Sequence, residues 1–142
     1  MDIPPTAWFI VAALAQFTLV LTHGVSGQRA FVAPLRRERL YPSRQWGDED
    51  VTWRIWAVVW HMVTAAFGSC GVVLLLLAMG VLEGNSLPLF ISALHATFLV
   101  LAVFVVGPRL LYMLRRPFAL TVVISLVTVC VASWLGTRWP AH

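Results

Sequence analysis

Apolar residues run through this chain in four long blocks, and polar positions collect between the blocks instead of alternating within them. The first block opens after Pro4 and Pro5, which suit the first turn of a helix, and runs from Ala7 to about Leu21. It extends to Ala33, where Pro34 supplies the first firm stop. The second block carries no formally charged residue from Ile55 to Leu82, so a helix built on it must tilt or protrude. The third ends at Gly107 and Pro108, and the fourth is opened by Pro117 and followed by Pro140. Such blocks predict an all-α integral membrane protein, with one domain over residues 1–142 and spans at about 7–33, 53–82, 87–106 and 117–136. The expected arrangement is an antiparallel four-helix bundle, with a loop at about 34–52 holding most of the water-soluble chain.

Composition agrees with lipid as the solvent. Only 11% of the 142 residues are charged while 60% are hydrophobic, too little polar surface to cover a fold in water. All ten basic residues are arginine, which together with the wealth of Ala, Val and Leu reads as GC-rich bacterial coding, hence a bacterial inner membrane. The arginines lie in loops, so they speak to orientation and not to nucleic acid. Nine of them fall between spans one and two or between three and four, counting Arg29 and Arg54 at the span ends that border the first of these loops, and only Arg138 falls elsewhere. The positive-inside rule then makes those loops cytoplasmic and places both termini on the non-cytoplasmic side. Trp8, Trp134 and Trp139 mark the outer boundary, and Trp46, Trp53 and Trp56 the inner one. No basic region precedes the first block, so that segment is expected to stay in the mature protein.

Polar groups inside lipid are costly unless paired, which makes them the candidates for chemistry. Counting inward at 1.5 Å per residue, Gln16 lies about 13 Å below the outer end of its helix, His95 about 12 Å, and Thr128 and Ser125 about 12 and 16 Å. These four form one expected intramembrane polar layer, with His95 satisfied by a hydroxyl of the fourth helix. His23 and His61 reach similar depth near the cytoplasmic ends of the first two helices. They are the one histidine pair offered for a cofactor, a b-type haem or another metal. His61 with His95 fails that test by about 8 Å of depth. Arg29 and Gln28, with Arg109 and Tyr112 from the other cytoplasmic loop, form a candidate site for an anionic headgroup or a quinone-like ligand. Gly68 and Gly71 allow the close backbone approach that helix packing in membranes uses. Cys70 and Cys130 fall inside apolar runs and read as small core residues.

Three functions fit these observations. The leading one is a non-enzymatic accessory, scaffold or assembly subunit, a homo-oligomer or part of a larger membrane complex, with membrane lipids as its other partners. The second is a haem- or metal-binding protein using His23 and His61. The third is a lipid or quinone binder at the cytoplasmic leaflet. No span holds an acid, and no Ser-His-Asp arrangement, HExxH or P-loop occurs, so carboxylate proton relays and those hydrolytic or phosphoryl chemistries lack their residues.

Overall fold

The computed structural model describes residues 3–34, 49–107 and 115–138. Helix α1 spans Pro5–Leu21, with proline in its first turn, and continues without a break into a π-helical segment, Thr22–Val32. Helix α2 spans Glu49–Ala78, α3 spans Ser86–Val106 and α4 spans Pro117–Gly136. No strand occurs among the described residues.

Helix ends follow local chemistry. Hydropathy carries the second block to 82, but α2 stops at Ala78 because Gly80 adopts φ 69° and turns the chain out of the helix. At its other end α2 reaches back to Glu49, four residues before the expected start at 53. Helix α3 stops at Gly107, whose φ of 53° serves the same purpose.

Four of these segments are long and apolar enough to cross a membrane: Pro5–Ala30, Val51–Ala78, Ser86–Phe104 and Pro117–Gly136. Side-chain exposure makes the same point. Phe104 is 80% exposed, Met62 65% and Phe90 63%, so large apolar side chains cover the outside of the fold as well as its inside. Water would oppose such a surface, whereas hydrocarbon accepts it.

Helix α1 packs against both α2 and α4, and α4 packs against α3. By contrast, the backbones of α2 and α3 approach one another at few positions. One apolar cluster joins Phe9, Ala12 and Ala13 of α1 with Leu74 and Leu77 of α2, Ile91 of α3, and Val129 and Ala132 of α4. A second joins Leu19, Phe67 and Leu126, with Phe98 and Leu99 of α3 packed against it. Small residues decide how close these helices come. Gly136 receives the ring of Phe9, whose Cδ1 and Cζ would each lie 2.8 Å from a Cβ there. Gly71 likewise receives Phe17, with two ring carbons at 3.1 Å from such a Cβ.

Candidate functional site

Two polar centres lie inside the bundle, and Phe67 of α2 touches both. The first is built on the π-helical segment. Low helix propensity at Gly24, Ser26 and Gly27 lets the backbone open to bonds five residues back, as from Ala33 N–H to Gln28 O. Gly24 and Gly27 face α2. A Cβ at Gly24 would stand 2.9 Å from Thr64 Cγ2, and one at Gly27 would overlap the ring of Trp60. Bare backbone is therefore what allows the segment to press against Trp60 and Thr64.

That approach sets the His23 ring face to face with Trp60, centroids 4.0 Å apart and planes 10° from parallel. Trp60 Nε1–H donates to the His23 carbonyl at 3.1 Å. Thr64 donates its hydroxyl hydrogen to the Trp60 carbonyl at 3.2 Å, so it accepts from His23 Nδ1–H across 2.8 Å. Those bonds fix the tautomer of His23 and leave Nε2 with a lone pair. Phe67 closes the centre edge-on, 5.6 Å from the His23 ring at 89°.

The second centre lies near the middle of the helices. Gln16 is fully buried and donates from Nε2 to the Phe67 carbonyl at 2.9 Å. His95 is also fully buried, and its Nδ1–H donates to Ile91 O, one turn back on its own helix, at 2.8 Å. A carbonyl only accepts, so the neutral ring again holds its lone pair on Nε2. Gln16 Oε1 and His95 Nε2 are both buried without a hydrogen-bond partner. Aromatic rings pack around His95, which lies 5.9 Å from Phe67 and 6.0 Å from Phe98, and Phe67 meets Phe98 edge-on at 5.7 Å.

The expected residues distribute as follows. Ser125 is buried on α4 and Thr128 half-buried, but the partner of His95 is the carbonyl of Ile91 and not a fourth-helix hydroxyl. The i−4 carbonyl is within reach of the His95 ring on its own helix, and it takes the bond. Ser92 makes the bond between α3 and α4 instead, donating to Cys130 O at 2.8 Å. His61 is on the exposed side of α2, while His23 turns toward Trp60 and Thr64. Arg29 is exposed, and Gln28 is half-buried with its Oε1 unpartnered. Arg109 and Tyr112 lie outside the described residues, as do Trp46 and Trp139. Gly71 is spent inside the chain against Phe17, whereas Gly68 has open space at its Cβ. At the opposite end from the His23 centre, Arg138 lies 4.0 Å over the ring of Trp134. Nearby, Pro5, Thr6, Glu83, Asn85 and Arg138 help to line a cleft of about 710 Å³.

Trp60, Phe67 and Phe98 do not follow from the sequence reading. For Trp60 a signal was present, because an indole N–H inside a span needs an acceptor. Phe67 and Phe98 carry no mark that separates them from the other apolar residues. Protein-family models, curated proteins and solved structures yield no match to the chain.

Proposed function

We propose that this protein is a non-enzymatic accessory or assembly subunit of a bacterial inner membrane, an antiparallel bundle that associates through the outward face of α2. Successive contacts support the antiparallel reading: Phe9 meets Gly136, Gln16 meets Phe67, and His23 meets Thr64. Arginine asymmetry supports a cytoplasmic 34–52 loop and non-cytoplasmic termini.

One observation carries the association reading. Ala65 and Ser69 are exposed on α2, one turn apart, and a Cβ on Gly68 between them would meet nothing within 4 Å. Ser69 donates its hydroxyl to Ala65 O at 3.1 Å, so the face is small and also polar-satisfied. Another helix can bring its backbone close to such a face, and close approach is what drives helix association where hydrophobic burial gives nothing. The partner is a second copy of this chain or a helix of a larger complex.

The test follows from the open space. Gly68→Leu adds bulk outside the bundle without touching its interior, so the monomer should fold normally. In mild detergent, wild type should migrate as an assembly on a native gel and Gly68→Leu as a smaller species. Identical migration of the two proteins overturns the reading.

A further inference from the structure

The second centre has an unusual polarity. Gln16 and His95 both direct their donors to backbone carbonyls, at Phe67 and Ile91, and both are left with a bare acceptor, Oε1 and Nε2. Both side chains are completely buried. An orphan acceptor in low dielectric is destabilising, and a group that supplies a hydrogen removes that penalty. The complement of this centre is therefore an O–H or N–H donor. A carbonyl would set lone pair against lone pair.

The surroundings narrow the class. Phe67, Phe98 and His95 stand at 5.7–6.0 Å from one another, two of the three pairs nearly perpendicular, which is the geometry in which a further planar ring packs edge to face. These rings bridge α2 and α3, the neighbouring pair whose backbones come together least. A guest ring enters here by taking the place of one of these aromatic side chains as that side chain turns aside. A molecule dissolved in the bilayer reaches this seam without passing through water.

We propose that the centre binds the phenolic hydroxyl of a membrane-dissolved hydroquinone, which donates its one O–H hydrogen to His95 Nε2 beside Phe67. The site thus prefers the reduced, hydroxyl-bearing form over the oxidised dicarbonyl form of the same ring. A trapped water offers the same donor chemistry, and the experiment separates the two.

Protein in lipid nanodiscs would be titrated anaerobically with a short-tailed benzohydroquinone and, separately, with the matching benzoquinone. Wild type should bind the hydroquinone saturably and about tenfold more tightly than the quinone, the factor expected of one buried hydrogen bond. His95→Phe keeps a ring but removes the acceptor, and should bring hydroquinone affinity down to that of the quinone. Because that variant alters the core, nitrogen NMR of wild type labelled at histidine gives a second readout. The His95 Nε2 resonance should move on adding hydroquinone and stay still on adding quinone. Equal affinities, a preference that survives in folded His95→Phe, or an Nε2 signal unmoved by hydroquinone would each overturn the proposal, the last leaving water as the guest.

Discussion

Replacing Gly27 by alanine tests the packing of the His23 centre with a single methyl group. In an ordinary helix interior the change stabilises by about 1 kcal/mol. At Gly27 the methyl would overlap Trp60 at Cζ2 and approach its Cε2 and Cη2 to 3.2 and 3.3 Å. The indole has little freedom to slide, because its face is stacked on His23 at 4.0 Å and its Nε1–H is held by His23 O at 3.1 Å. Overpacking costs about 1–3 kcal/mol, and relief of the overlap gives up a hydrogen bond and a ring contact of about 1 kcal/mol each. The overlap is either kept or relieved, so after the propensity gain a net loss of about 1–2 kcal/mol is expected. Gly68→Ala provides the opposite sign, since its methyl meets nothing and the helix gains about 0.5–1 kcal/mol. Unfolding would be followed by circular dichroism as mild detergent is replaced by dodecyl sulfate. The double mutant Gly27→Ala/Trp60→Leu should lose less than the two single changes added together, since the overlap disappears with the indole. If Gly27→Ala is as stable as Gly68→Ala, or the two changes at 27 and 60 simply add, the reasoning is wrong.

The same assay separates bonded from orphan groups. Ser92→Ala should cost about 1 kcal/mol, because its hydroxyl donates to Cys130 O, whereas Ser133→Ala should be neutral or stabilising, because Ser133 Oγ is buried without a partner. Thr64→Val removes the acceptor of His23 Nδ1–H and should cost about 1–2 kcal/mol; a smaller loss than that of Ser133→Ala would refute the bond. Gly136→Val should destabilise by about 1–3 kcal/mol through Phe9, and a Phe9→Ala background should relieve it. Gln16→Leu removes a good donor and an orphan acceptor together, so its loss should stay within about 1 kcal/mol, while Gln16→Glu places a carboxyl in the core and should cost several times more.

What the sequence makes legible here is set by length scales. Each apolar block is about as long as a bilayer needs or longer, so four membrane-length helices follow from counting, and proline and glycine mark their ends to within a few residues. Rotation about a helix axis is a different matter. Depth places Gln16, His95 and Ser125 in a common layer, but depth alone does not say which way His95 turns, and its own Ile91 carbonyl was always closer than any neighbour. At His23 the obstacle is again rotation: positions 23, 24 and 27 share one arc of a helix at α or π spacing alike, but the sequence does not say which neighbour that arc faces. Only the structure shows that all three confront Trp60 and Thr64.

The polar groups also divide by what they hold. Thr18, Thr22, Ser69, Thr97 and Thr121 each donate to a carbonyl four residues back, which satisfies the hydroxyl but fixes nothing between helices. Gln16, His23, Trp60 and Ser92 reach across instead, tying α1 and its π-helical extension to α2, and α3 to α4. Across from α2 to α3, at the level of Phe67, the joint is ring against ring. Hydrogen bonds resist exchange because a lost partner leaves a polar group bare in hydrocarbon, while an aromatic contact is replaced by another aromatic contact at little cost. At the level of Phe67 the α2–α3 seam is thus a joint of rings, and the His95 acceptor that still lacks a hydrogen belongs to it.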